Sequence, residues 1–484
     1  MLEPYDRLDS PLTATACSSA AGHRPEDRRS CGLRAPLAGL LAFLGTAFAP
    51  GTVLASEGGA HAVPPTWMVI FFVVMLLSIA IVPLTRLEHW WHSNLNKLLL
   101  GLALSAYPVF WLTVQEPNLA ELGVKMHEYT SFITLLGCLF YISGGIYLAG
   151  DLKCTPQSNA TFLAFGTVIA SFIGTTGASM LLIRPVLRAN TERKHKVHIV
   201  VFFIFLVSNV GGSLLPLGDP PLFLGYLQGV PFLWTLGLWK EMFLVAGILL
   251  VVFFLMDRHF YGRESETVRR ADLAHASPLK IEGSINIVWL LGIVACAAFI
   301  RDEHGIFIRE AAMVGCVIGS KFTSPPETRE KNAFSWFPIL EVAALFIGIF
   351  LTMIPALLIL QAGGDKLGVD TPAKFFWAAG ALSSFLDNAP TYLVFFETAS
   401  GMVDKGLLSG ALVEGTNVPS TILQAIACGS VFMGANTYIG NGPNFMVKAI
   451  AEESKVEMPG FFGYMKWSIM FLIPCFVITT LVFF

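Results

Sequence analysis

Twelve apolar stretches occupy nearly everything after residue 60, and their length makes a lipid bilayer the solvent in which this chain folds. They run over 66–84, 97–114, 128–149, 161–188, 197–225 and 232–256, then, past a polar stretch at 257–283, over 284–300, 305–322, 338–360, 372–399, 420–450 and 462–484. Most hold the roughly 20 apolar residues that a bilayer demands. Charged residues make up 13% of the chain, about half the roughly 25% of soluble domains. In water so apolar a protein would expose large sticky patches. Lys and Arg number 31 against 34 Asp and Glu. No basic excess exists to neutralise phosphates, so no nucleic-acid partner is expected. The Cys lack a C-x-x-C spacing, which argues against a disulfide framework or zinc site. No Walker loop, H-E-x-x-H, nucleophile elbow or EF-hand loop is present, so an enzyme is not expected and no cofactor is indicated.

The amino terminus reads as a targeting segment. Arg24, Arg28, Arg29 and Arg34 precede an apolar run from Ala35 to Ala49, and Val53-Leu54-Ala55 offers small residues for cleavage. The chain therefore divides into a cleaved signal at 1–55, a first membrane repeat at 56–256, a cytoplasmic linker at 257–283 and a second repeat at 284–484. A signal puts the mature amino terminus outside the cytoplasm.

Four of the twelve segments carry Gly, Pro, Asn, Ser, Thr and Asp where a span should be apolar: 161–188 and 197–225, then 372–399 and 420–450. Backbone exposed at such points must find partners. The breakers correspond in order. Thr176-Gly177-Ala178-Ser179 answers to Asp387-Asn388-Ala389-Pro390-Thr391, and 211–221 answers to 434–444, with Gly211 on Gly434 and Pro220 on Pro443. If the first interrupted segment of each half is a re-entrant hairpin, each half has five full spans. An odd number inverts the second half. The expected fold is thus an all-α membrane protein of two inverted repeats, each with five transmembrane helices and one re-entrant hairpin, with broken helices at the midplane. Arg184, Arg188, Arg193, Lys194, Lys196 and most other Lys and Arg then face the cytoplasm, as the positive-inside tendency requires. Both mature termini fall outside an inner, bacterial-type membrane. His195 and His198 read as residues of a solvated basic loop.

Paired interrupted helices point to a transporter binding site. Asp219 and Asp387 are the carboxylates at the breaks, and an intramembrane carboxylate is costly unless it functions. A small hard cation needs carbonyl, hydroxyl, amide and carboxylate oxygens. The candidates are Thr175, Thr176 and Ser179 at the first tip; Ser208, Asn209, Gly211, Gly212 and Ser213 in the first break; Ser383, Ser384, Asn388 and Thr391 at the second tip; and Asn436, Thr437, Asn441 and Asn444 in the second break. Sodium is expected at Asp387, Asn388 and Asn436. Asp387, helped by Asp219, is expected to be the carboxylate for which cation and proton compete. Glu341, Glu397 and Glu241 read as interfacial, packed or helix-end residues.

The strings Gly211-Gly212-Ser213-Leu214-Leu215-Pro216-Leu217-Gly218-Asp219-Pro220-Pro221 and Ser384-Phe385-Leu386-Asp387-Asn388-Ala389-Pro390-Thr391 resemble the ion-transporter superfamily over about 60–484. Its members include NhaD-type sodium/proton antiporters, ArsB-type arsenite exporters and carriers of citrate or dicarboxylates. The NhaD branch has the more similar motifs, although Pro221 stands where a Thr is expected. The resemblance implies secondary active transport of a small inorganic cation against protons, often by a homodimer. The alternative is a sodium- or proton-coupled citrate or dicarboxylate transporter, with helix amino termini holding the anion. The carboxylate at the second tip argues for a cation.

Overall fold

The computed structural model describes residues 63–115, 117–151, 154–266, 277–300 and 307–484. The expected signal segment lies outside them. Ala60–Phe484 forms one folding unit. Its helices are α1 (Val69–Ile81), α2 (Asn94–Phe110), α3 (Leu119–Ser143), α4 (Pro156–Ile173), α5 (Thr175–Ala189), α6 (Val197–Leu206), α7 (Pro220–Leu227) and α8 (Trp239–Gly262). After them come α9 (Ile285–Phe299), α10 (Ile308–Thr323), α11 (Phe337–Gly363), α12 (Pro372–Phe385), α13 (Asn388–Asp404), α14 (Ser420–Met433), α15 (Gly442–Glu453) and α16 (Phe461–Phe483).

Local chemistry sets where the site-bearing helices start and stop. α4 and α12 both open on Thr-Pro. Thr155 and Thr371 accept the amide hydrogens of Ser158 and Lys374, and Pro156 and Pro372 fill the first helical position, where a missing N–H costs nothing. α4 stops at Gly174, whose φ of 81° is open to glycine, and α5 starts at once. α12 stops at extended Leu386, and Asp387 caps α13. α6 and α14 stop at short 3-10 turns, Val210–Ser213 and Gly434–Asn436, before the chain resumes as α7 and α15. The core lies around these stops: Phe202, Phe203 and Phe205 on α6, Phe375 and Phe376 on α12 and Phe432 on α14 are wholly buried.

The expected all-α fold of two inverted five-span repeats is corrected by these elements. Among the described residues four helices are long and apolar enough to cross a membrane, Asn94–Gln115, Trp234–Gly262, Phe337–Leu367 and Phe461–Phe483, rather than ten. A run of apolar residues is not a run of helix. The 128–149 stretch leaves its helix at Ser143 and enters a strand. The 197–225 stretch becomes helices of 10 and 8 residues, and 284–300 holds a helix of 15. Fifteen helical residues reach about 22 Å, short of the roughly 30 Å hydrocarbon core. Nor is the fold all-α. β1 (Tyr147–Asp151) pairs antiparallel with β2 (Ser277–Glu282), with Tyr147 opposite Glu282 and Leu148 opposite Ile281.

In the basic stretch 190–198, Thr191, Glu192 and Lys194 are exposed, but Arg193 and His198 are not solvated. Arg193 and His198 are each 2% exposed and meet on Asp257 of α8, which is wholly buried. Arg193 and His198 lie 2.5 and 2.8 Å from Asp257 Oδ1, and Asn159 donates to Oδ2 at 3.1 Å. Their neighbours in the chain, Glu192, Lys194, His195 and Lys196, do not announce this partner. The partner is some 60 residues downstream. Glu341 pairs with Lys97 at 2.5 Å.

Candidate functional site

The two breaks are built alike from glycine. Gly218 approaches the Gly212 carbonyl and Gly440 the Gly434 carbonyl so closely that a Cβ at either place would collide with it. Asp219 and Asn441 follow, both extended, at φ −143° and −154°, each at the cap of the next helix. The structure therefore registers Gly212 with Gly434, Asp219 with Asn441 and Pro221 with Pro443. This is one residue off the pairing that identical letters suggest. Gly212 is also pressed against Thr175 and Asp219, and Gly211 against the Thr167 carbonyl.

Asp219 is the hub. It is 1% exposed. Its Oδ1 accepts the Thr175 hydroxyl at 2.8 Å and the Asn441 amide at 3.1 Å, while its Oδ2 accepts the Asn388 amide. The two tips and the two breaks thus meet on one carboxylate. The amide hydrogen of Thr175 also donates to the Gly218 carbonyl at 2.7 Å. All three side-chain donors are neutral, and no Lys, Arg or His side chain pairs with Asp219 among the described residues. Neutral hydrogen bonds lower the cost of burying a carboxylate but do not cancel its charge. Asn388 is wholly buried, and its Oδ1 has no hydrogen-bond partner. An acceptor left open beside an uncompensated carboxylate is where a hard cation or a proton would fit.

Asp387 does a different job. It is partly buried, and its carboxylate accepts the Ala389 amide hydrogen at 3.0 Å, capping α13. Thr391 donates to the Asp387 carbonyl at 3.0 Å. Asp387 directly precedes Asn388, whose amide reaches Asp219, so the two carboxylates flank one side chain. Asn436 is turned elsewhere: its amide donates to Ser384 Oγ at 2.8 Å, and its Oδ1 has no partner. Thr437 donates to the Ser384 carbonyl at 2.5 Å. No hydrogen bond joins Asp387, Asn388 and Asn436 to one another among the described residues.

Behind the hub, amides stitch the breaks together. Asn441 donates to the Ser208 carbonyl and to Asn209 Oδ1, both at 3.2 Å. Asn209 donates to Asn444 Oδ1 at 2.7 Å, and Asn444 donates to the Gly434 and Thr437 carbonyls, both at 2.9 Å. Ser179 and Ser208 are bonded at 2.8 Å. Ser213 donates to its own turn at Val210. Ser383 donates to the Ser430 carbonyl at 2.6 Å. Thr176 is partly buried beside Thr175. Sequence reasoning misses Ser171, wholly buried on α4. It donates to the Gly211 carbonyl at 2.5 Å and accepts the Leu214 amide hydrogen at 3.1 Å, tying off the first break. A serine in an apolar helix gives no signal of such a role.

Among the described residues no three His, Cys, Asp or Glu gather as a metal site. The oxygens here are of mixed type, a carboxylate, a hydroxyl and amides, suited to a weakly held hard cation. Compared with known families, residues 61–484 match the family described as "Putative citrate transport" (CitMHS_2). No curated protein matches the chain.

Proposed function

The chain belongs to this citrate-transport family of the ion-transporter superfamily, and from that premise we propose that it is a sodium- or proton-coupled carrier of citrate or a related carboxylate. The family is one of membrane-associated transporters. The observation that carries the coupled mechanism is Asp219, buried and hydrogen bonded by three neutral donors, beside the open Asn388 Oδ1. A cation or proton that enters removes the repulsion that Asp219 and Asp387 would exert on an arriving carboxylate. Substrate and coupling ion then bind better together than apart. The anion would be held by the amino-terminal turns of α5 and α13, where helix dipoles favour negative charge, with Thr176 as a further contact. The work would be done in a lipid bilayer, by a homodimer.

A second reading, sodium/proton exchange, is favoured by the two neighbouring carboxylates: sodium and proton competing for them would exchange without any anion. The test is uptake of labelled citrate into proteoliposomes under imposed sodium or proton gradients, with a pH-sensitive dye in parallel lumens. Gradient-driven accumulation of citrate supports the carrier. Sodium-driven proton movement with no citrate uptake would replace it by the exchanger.

A further inference from the structure

Along α5 every residue is buried except Thr176, Met180, Arg184 and Arg188. Steps of four keep these on one slowly winding face, a stripe about 18 Å long from the tip to the end of the limb. It begins at Thr176, next to the Thr175 that bonds Asp219. Arg188 spends its fork on neutral oxygens, the Tyr147 hydroxyl at 2.8 Å and the Leu148 carbonyl at 2.7 Å. Arg184 makes no hydrogen bond or ion pair among the described residues, and its Nε is buried without a partner. Glu192, exposed one turn past Arg188, pairs with neither. The limb of the second tip, α13, opens instead on Val394, Glu397, Ser400, Val403 and Asp404. Positive charge thus belongs to the stripe of the first limb.

An arginine inside a membrane protein is costly unless something pairs with it, and such residues mark substrate paths. A cation would be repelled from this stripe, and an apolar body would leave both charges unmet. A carboxylate satisfies them, because the planar guanidinium fork takes both of its oxygens at once. Among the described residues no cation pairs with the hub, so selection for an anion has to come from elsewhere. Arg188 is already tied to β1, which leaves the Arg184 fork. We propose that Arg184 receives a carboxylate of the arriving substrate and passes it along the stripe to Thr176 at the tip, and so selects for anions. This rests on the carboxylate-carrier reading.

The test uses the whole protein in phosphatidylcholine nanodiscs, with Met180→Cys placed on the stripe between Thr176 and Arg184. Reaction at position 180 is followed by mass spectrometry with an anionic and a cationic thiosulfonate, each rate taken relative to free cysteine. The anionic reagent should be favoured about tenfold, as charge steering allows, and citrate should protect. With Arg184→Gln added, the preference should fall below about twofold and the protection should vanish. Should that variant not fold, Arg184→Lys, which keeps the charge but not the fork, should keep the preference and weaken protection at least about threefold. The inference is overturned if neither reagent reaches position 180, as when lipid covers the stripe, or if the preference survives Arg184→Gln. Protection by phosphatidylglycerol rather than by citrate also overturns it, since Arg184 then meets a lipid headgroup. If the native protein accumulates citrate in proteoliposomes and the stripe shows no preference, the inference falls alone. If it accumulates none and citrate gives no protection, the carrier reading falls and takes the inference with it.

Discussion

In the first break Gly218 closes on the Gly212 carbonyl and Asp219 caps the next helix, whereas in the second Gly440 closes on Gly434 and Asn441 takes that capping place. The tips differ in the opposite sense. α5 is capped by Gly174 and opens with Thr175, and α13 is capped by Asp387 and opens with Asn388. Each pair of elements therefore owns one carboxylate, but at different points of the same backbone device. Asp219 collects donors from both tips and from the other break, while Asp387 serves its own helix. A shared backbone shape fixes where ligands can sit. The side chain at one cap decides which of the two breaks carries the charge.

The charge difference can be broken directly. Asp219→Asn should lower citrate uptake by at least about 100-fold, about 2.7 kcal/mol, while the protein still inserts and folds. Moving the carboxylate across, as Asp219→Asn with Asn441→Asp, should leave uptake at least about tenfold below native, because Thr175 and Asn388 converge on position 219. Full recovery would mean that the two caps are interchangeable. The backbone likeness is tested by Gly218→Ala and Gly440→Ala. Each forces a Cβ into a carbonyl, and each should cost about 1–3 kcal/mol of stability, read as matching drops in thermal midpoint. A loss confined to one of them would break the likeness.

Asp387→Asn comes next, at about tenfold in uptake, since the variant keeps a capping oxygen and loses only a charge near Asp219. Glu397→Gln should change uptake less than about twofold. The smallest effect is expected at the surface. Asp370 is held below the ordinary carboxylate value by its hydrogen bond to Lys374. Its contribution to stability is therefore present above the unfolded-state value and is lost as pH falls through the lowered folded value. Because the pair is exposed, Asp370→Asn should leave the thermal midpoint unchanged at pH 7.

Much of where the breaks lie could be read from the chain. Clusters of glycine and proline at 211–221 and 434–443 stop a helix where single ones, such as Pro185 and Pro355, do not, and Thr-Pro at 155–156 and 371–372 marks two helix starts. The register between breaks was less legible. Letter identity pairs Gly211 with Gly434, but the contact that shapes each break is carbonyl to glycine, and this pairs Gly212 with Gly434. The number of spans was overcounted because hydropathy sums side chains and ignores where the backbone leaves the helix. Local context alone places Asp387 ahead of Asp219 as the coupling residue. The donors that make Asp219 the hub come from Thr175, Asn388 and Asn441, which are distant in sequence, and nothing within either motif announces them. The burial of Arg193 and His198 on Asp257 was hidden for the same reason.

The most direct measurement of the coupling claim is citrate affinity as a function of cation, by titration calorimetry on purified native protein and on Asp219→Asn. Coupling through this carboxylate predicts that native affinity rises at least about tenfold from cation-free to saturating sodium, or over an equivalent span of proton concentration, because the two ligands share one linked equilibrium. In Asp219→Asn citrate should bind with an affinity that no longer responds to either ion. If Asp219→Asn keeps the native cation dependence, Asp219 is not the coupling site.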